Sequence, residues 1–412
     1  METARAMNYR WRLTGVVYVS CSLYLLFQGG KTAFMLFAIL NVLIIYLALG
    51  KLSGIGMVKG TRTLAGIGGH QDNVLSAGTR LDVQLHVKIP GIWPIPYVLV
   101  QDRLERKGGQ SMQFEVSFIP DFRRNGHVQY STPPLSRGWY SFQPTECVTR
   151  DIFGLFEHSG RFESGSTFTV LPQTVPIRYW SQLQRGLKGP YSHAVSHRSA
   201  KETTQINGVR EYHYGDRLSR IHWNATAKTG EWKSKEFERE SVPRTVVVLD
   251  RCGNAYGNAE RFELAVSAAA SLVEYGLRRE TAMGLVSVGA TADGYQPRST
   301  ADQRKLIMNH LVGVQADGTS GLYRSLRQAS VLLSPGSFVV LVTPHKGEEV
   351  VKTMQWLERS GMTPCVIHLP DSDRQAADAQ AGWQKLVQVR GWQCYNVRAL
   401  QELPSALEGS VS

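Results

Sequence analysis

Three successive patterns predict three structural classes in one chain: a two-helix transmembrane hairpin, an antiparallel β-sandwich and a doubly wound α/β domain. Two nearly uncharged apolar runs come first, short stretches alternating with period two follow, and apolar strands then alternate with helical stretches from residue 244 onward. With 412 residues the chain can bury a core in each folded part. A content of 42% hydrophobic against 19% charged residues excludes a disordered polymer. The formal charge of +12 suits nucleic acid or an anionic membrane surface. Its Lys and Arg are dispersed, with no long basic run, which favours the membrane. The five cysteines (Cys21, Cys147, Cys252, Cys365, Cys394) are odd in number and lack C-x-x-C spacing, so reduced thiols fit better than a disulfide framework or a zinc site.

The hairpin is expected over residues 13–49. Leu13 to Phe27 and Thr32 to Leu49 are apolar runs that approach the roughly 20 residues a spanning helix needs, joined by Gln28-Gly-Gly-Lys31. No small-x-small site ends the first run and a second run follows, which argues against a cleaved signal peptide. Arg5, Arg10 and Arg12 precede the pair, Lys51, Lys59 and Arg62 follow it, and Lys31 lies between. The positive-inside rule therefore places segment 1–12 and everything after the hairpin in the cytoplasm, giving a multi-pass cell-membrane protein with two helices. Asn41 is expected to join the two helices to each other.

The sandwich is expected over 73–180. Leu81 to Ile89, Tyr97 to Val100, Met112 to Phe118, Trp139 to Phe142 and Phe168 to Leu171 alternate with period two between Gly, Pro and Asn turns. No catalytic constellation occurs in it. Arg137-Gly-Trp-Tyr followed by Thr149-Arg-Asp-Ile-Phe-Gly-Leu-Phe resembles a motif pair of a bacterial membrane family known as domain of unknown function 58, with Ile152 where that family has Pro. Phe153, Leu155 and Phe156 are expected to close the sandwich core.

Residues 186–207 form the expected linker, rich in Gly, Ser and His up to Ser199; His193 and His197 share the H-x-x-x-H spacing of a metal pair, but Gly186, Gly189 and Pro190 predict a loop rather than the helix such a pair needs. The charged stretch 208–240 then holds seven Lys/Arg and six Asp/Glu with five aromatics and two His threaded among them. Asp216 is placed to cap a helix of about three turns from Arg217, with Leu218, Ile221 and Ala225 on its apolar side and Gly230 as a left-handed stop. Glu231 to Glu240 reads as an exposed strand. Arg210-Glu-Tyr, Gly215-Asp-Arg, Arg220-Ile-x-Trp and Ala227-Lys-Thr-Gly resemble the signature of the same family; Tyr214, His222 and Lys228 depart from it. Two readings stand for Arg210, Glu211, Tyr212, Gly215, Asp216, Arg217, Arg220, Trp223 and Lys228: a network that latches neighbouring elements together, or a surface for a protein partner. The stretch nets only +1, too little for a phosphate backbone, so no nucleic acid is expected.

The α/β domain is expected over 244–408. Thr245 to Asp250 is a buried strand ending in an acid. Helices over 262–276, 301–312, 322–333 and 348–360 alternate with strands over 282–288, 338–343, 364–369 and 393–397, and a final helix closes the fold. The succession resembles the von Willebrand factor A domain, which implies Mg²⁺ held by Asp-x-Ser-x-Ser, a Thr and a second Asp. Asp250 and Thr319 match; Cys252 and Asn254 replace the serines, and Pro344-His345 stands where Thr-Asp-Gly is expected. Asp250, Asn254 and Thr319 thus make a degenerate site for at most a weak ion, and no cofactor is expected. The first reading is a membrane-anchored cytoplasmic scaffold for protein partners, and the resemblance to the domain of unknown function 58 family implies as partners an AAA+ ATPase of the MoxR type and a transglutaminase-like membrane protein. The alternative is an enzyme with Cys252 as nucleophile and His345 nearby, or with a weak metal at the same strand ends.

Overall fold

The computed structural model describes residues 2–65, 74–109, 111–151, 157–180, 183, 201–214, 216–240, 244–371 and 377–409. Phe153, Leu155, Phe156, His193, His197 and Gly215 fall outside these. The chain divides into two units, Met1–Leu171 and Pro172–Ser412.

The first unit begins with helices α1 (Glu2–Gln28) and α2 (Gly30–Leu49). Only α2 is long and apolar enough, among the described residues, to cross a membrane; the apolar part of α1, Thr14–Gln28, is shorter. The tyrosine ring of Tyr18 packs 5.6 Å from that of Phe37, so the helices touch. Asn41 spends its amide mainly on its own helix, donating to the Phe37 carbonyl at 2.7 Å. Its Oδ1 lies 3.5 Å from the Tyr18 hydroxyl, at the outer limit of a hydrogen bond.

Among the described residues ten strands follow: β1 (Lys59–Ala65), β2 (Val74–Ser76), β3 (Asp82–Lys88), β4 (Val98–Arg106), β5 (Ser111–Phe118), β6 (Asn125–Ser131), β7 (Gly138–Phe142), β8 (Thr145–Arg150), β9 (Glu157–Phe162) and β10 (Thr167–Leu171). A three-stranded sheet runs β1-β3-β6 and a seven-stranded sheet runs β2-β10-β7-β4-β8-β9 with β5 on β4. Every pairing is antiparallel except β2 with β10. Alternate residues of both sheets, among them Val83, Leu85, Val87, Val100, Leu104, Tyr140 and Phe168, share one core. Period-two burial is what the alternation in sequence required. Inside this core lies a buried ion pair, Arg62 Nη2 to Asp102 Oδ1 at 2.7 Å. Thr145 and Tyr130 bond to the same carboxylate, and the guanidinium lies 4.1 Å from the Phe142 ring centroid.

In the second unit, β11 (Lys201–Glu211) and β12 (Lys233–Glu240) form an antiparallel two-stranded arm. Residues 201–207, expected in the linker, are therefore strand. The main sheet has six strands in the order β15-β14-β13-β16-β17-β18: β13 (Arg244–Asp250), β14 (Ala282–Val288), β15 (Ala292–Arg298), β16 (Phe338–Thr343), β17 (Thr363–His368) and β18 (Gln393–Asn396). All neighbours run parallel except β15. Helices α7 (Leu322–Gln328), α8 (Glu348–Arg359) and α9 (Ala377–Val389) pack against one face of the sheet, through Val246, Val248, Val339 and Leu341. Helix α5 (Ala259–Arg278), which follows the short α4 (Gly253–Tyr256) and precedes α6 (Ala301–Gly313), lies on the other face, where Gly276 leaves room for Met283. Helices thus cover both faces, as a doubly wound sheet requires. The expected single helix over 322–333 is instead α7 followed by a 3₁₀ turn, Ser330–Leu332. Trp180 is fully buried against Tyr275 of α5 and Phe338 of β16, and its backbone N–H donates to the Tyr275 hydroxyl at 3.1 Å.

Candidate functional site: the aromatic arm and the strand-end crevice

The segment between the two strands of the arm departs from the helix expected at Arg217. Arg217 is extended, Leu218–Arg220 make one 3₁₀ turn, and α3 (Trp223–Thr229) starts later. His222 caps it through Nδ1, which accepts from the Ala225 N–H at 3.1 Å. Gly230 ends it with φ 72 and ψ −2, the left-handed stop expected from sequence. Asp216 is not a helix cap because Arg210 and the His213 N–H already occupy its carboxylate, at 2.7 and 3.2 Å. These bonds, the arginine first, hold its pKa below the usual carboxylate value. The Tyr212 hydroxyl donates to the Asp216 carbonyl, and its ring packs 5.6 Å from Trp232. Glu211 pairs with Lys233 at 3.6 Å, not with the arginines.

This segment therefore has two sides. Arg210, Tyr212 and Asp216 fasten it, with Ile221 buried beneath. Tyr214 is fully exposed, Leu218 is 66% exposed, Trp223 65% and Trp232 53%. Arg217 and Lys228 are exposed, and Arg220 is half-buried. Trp223 and Trp232 lie 6.5 Å apart, ring centroid to centroid. Large aromatics thus stand in water beside cations.

The second arrangement lies at the carboxyl ends of β13 and β16, adjacent strands at which the order of the sheet reverses. Asp250 is 1% exposed. Its Oδ1 accepts from the Cys252 N–H at 2.9 Å and its Oδ2 from the Thr343 hydroxyl at 2.7 Å. His345 sits between two carboxylates, Nε2 at 3.5 Å from Asp250 and Nδ1 at 3.3 Å from Glu349. The Asp250 contact is a close approach whose geometry does not make a hydrogen bond. Burial pushes the Asp250 carboxyl above its usual range, against the pull of His345, Thr343 and the Cys252 N–H. Glu349 leans over Gly321, where a Cβ would lie 2.1 Å from Oε1.

Cys252 is 6% exposed, and burial, followed by the charge of Asp250, pushes its thiol above the ordinary value. That is the opposite of what a thiolate nucleophile needs. A bridge from Cys252 to Gly318 brings the Thr319 loop beside it, but Thr319 and Asn254 are exposed whereas Asp250 is sealed. No group of three or more His, Cys, Asp or Glu is placed to hold a metal among the described residues. Arg251, invisible as a functional residue in the sequence, anchors the crevice by reaching Asp317 at 2.5 Å, Asp293 at 3.1 Å and Ser287 at 3.1 Å. Against the cost of burial, the Arg251 bonds hold the Asp317 carboxyl below its usual value.

Residues 208–355 match the family model described as protein of unknown function DUF58. The chain is 24% identical over 330 residues, 78% of its length and 79% of the relative's, to an uncharacterized protein, YeaD, of Bacillus subtilis (strain 168). The matched residues include the charged stretch, whose motifs resemble that family. Among solved structures, proximal thread matrix protein 1 of the mussel byssus overlaps 40% of this chain and 46% of its own at 16% identity, with a TM-score of 0.29. The CARDB domain of a Pyrococcus furiosus protein, solved with di-metal ions, overlaps 27% of this chain and 86% of its own at 14% identity, with a TM-score of 0.18. Overlaps at these scores carry no argument.

Proposed function

We propose that the chain is a membrane-anchored cytoplasmic scaffold that docks protein partners through the arm. The observation that carries the reading is the exposure of Tyr214, Leu218, Trp223 and Trp232 on a segment whose other side is fastened by Arg210 and Asp216. Aromatic anchors on a rigid base lose little entropy when a partner covers them. The helix pair α1 and α2 forms the anchor, a two-pass hairpin with both termini in the cytoplasm, as the flanking arginines and lysines direct. The second unit is a von Willebrand factor A-like domain whose strand order and degenerate ion site suit docking better than ion-dependent adhesion. The sealed state of Asp250 and the raised pKa of Cys252 favour binding over nucleophilic chemistry. The partners are an AAA+ ATPase of the MoxR type and a transglutaminase-like membrane protein.

The test is a titration of the nanodisc-embedded chain with the purified MoxR-type ATPase of the same organism, read by biolayer interferometry. Replacing Trp223 and Trp232 together by Ala should weaken binding at least about tenfold, the scale of one hot-spot residue. Equal affinity for wild type and variant would overturn the role of the arm, and no binding by wild type would overturn the partner.

A further inference from the structure

Trp139 and Tyr140 of the Arg137-Gly-Trp-Tyr sequence, which the proposed function leaves unused, line a cleft in the first unit. The cleft encloses about 770 Å³ on the outer face of the seven-stranded sheet, and Arg106, Lys107, Trp139, Ser141, Thr167 and Thr169 are among its walls. Trp139 and Ser141 point outward because Tyr140 and Phe142 point into the core, and Thr167 and Thr169 alternate in the same way with Phe168 and Val170. The strand register puts Thr169 opposite Trp139 and Thr167 opposite Ser141, so hydroxyls and indole form one continuous floor.

The cations at its rim are held in place. Gly138 lacks the Cβ that would lie 2.6 Å from Arg106 Nε, and a Cβ at Gly109 would come within 3.0 Å of Arg106 Cδ. Two glycines thus make the bed in which this half-buried guanidinium lies. The Lys107 ammonium stands 5.5 Å from the centroid of the Trp139 ring. Glu105, the acid of the cleft, is engaged by the Gln143 amide at 2.7 Å. Among the described residues no carboxylate pairs with Arg106 or Lys107. Two seated and unpaired cations, three hydroxyls and an aromatic face on one open surface form a receptor for anionic oxygens attached to an apolar body.

We infer that this cleft binds an extended acidic segment of a protein partner. Its carboxylates meet the Arg106 fork and the Lys107 ammonium, and an intervening apolar side chain covers Trp139. The inference rests on the reading of the chain as a protein-interaction module, but on residues separate from the arm. The probe is a fluorescein-labelled hexapeptide of alternating Glu and Leu, titrated by fluorescence anisotropy into the full chain in nanodiscs at low salt. Arg106→Gln with Lys107→Gln should weaken binding about tenfold or more, the loss of charge-assisted bonds. Lys107→Gln alone, at an exposed position, should weaken it less and leaves the fold untouched. The peptide with Gln in place of Glu should not bind. Trp223→Ala should leave the titration unchanged, so the cleft and the arm fail or succeed separately. Equal affinity for wild type and the double variant would overturn the inference, as would complete displacement of the peptide by an equal concentration of inorganic phosphate, the mark of a site for small anions.

Discussion

Two arginine–aspartate pairs in this chain have the same length and different meanings. Arg62 to Asp102 and Arg210 to Asp216 both close at 2.7 Å. The first pair has side chains 0% and 1% exposed, and the second 37% and 14%. Water screens the second pair and cannot reach the first. Distance alone therefore says nothing about what either pair contributes; burial decides, because removing one partner from a dry site strands a charge that nothing solvates. The sandwich uses its pair to fix a core, and the arm uses its pair to steady a surface.

The largest test of this contrast is Arg62→Ala. Among the described residues it leaves the Asp102 carboxylate in the core with Tyr130 and Thr145 as donors, and it also removes the cation from the Phe142 ring. A destabilisation of about 3–5 kcal/mol is expected from the loss of one partner of a buried pair. Arg62→Met combined with Asp102→Leu should recover most of it, because no unpaired charge then remains. Urea unfolding in detergent micelles measures both. A single variant that costs less than about 1 kcal/mol, the surface value, would erase the distinction between the two pairs.

A buried imidazole sharpens the same contrast in the second unit. His368 is 1% exposed, edge-on to Trp383, with Nδ1 3.1 Å from Asn396 Oδ1. Burial pushes its pKa down to about 4. The unfolded chain takes up the proton near pH 6.5 and the folded chain does not, so the folded state loses stability as pH falls from there toward 4 and loses no more below. The shift corresponds to about 3 kcal/mol. His368→Gln should flatten the dependence of the urea midpoint on pH over this interval. An unchanged slope would mean that His368 is charged in the fold.

How legible these features were follows from how the chain signals them. The strands of the sandwich core and β13, β14, β16 and β17 announce themselves by apolar alternation or apolar runs, and the structure has them there. Strand β15, Ala-Asp-Gly-Tyr-Gln-Pro-Arg, has no such signal; it is an edge strand, held by β14 alone, and an edge tolerates Gly and Pro. The helix expected at Arg217 does not start there because Arg210, six residues earlier on β11, holds the Asp216 carboxylate that would have capped it. Arg62 and Asp102 are 40 residues apart on different strands, and no local pattern joins them. The crevice divides in the same way. Asp250 at the end of an apolar strand was readable, but His345 and Glu349 reach it only because β16 lies beside β13.

The smallest effect belongs to the exposed pair, and it separates stability from recognition. Arg210→Ala removes a bond that is partly open to water, and a cost far smaller than that of Arg62→Ala is expected in urea unfolding. The same substitution frees the Asp216 carboxylate, whose pKa should rise back toward the ordinary value, since Arg210 is the main cause of its depression. Asp216 then loses part of its hold on the segment that carries Tyr214, Leu218 and Trp223. Binding of the proposed ATPase partner should weaken severalfold, because a surface that is no longer fixed must be ordered on contact. A stability loss as large as that of Arg62→Ala would make the arm a structural latch. Small loss with weakened binding is the behaviour of a pair that positions a recognition surface without holding the fold.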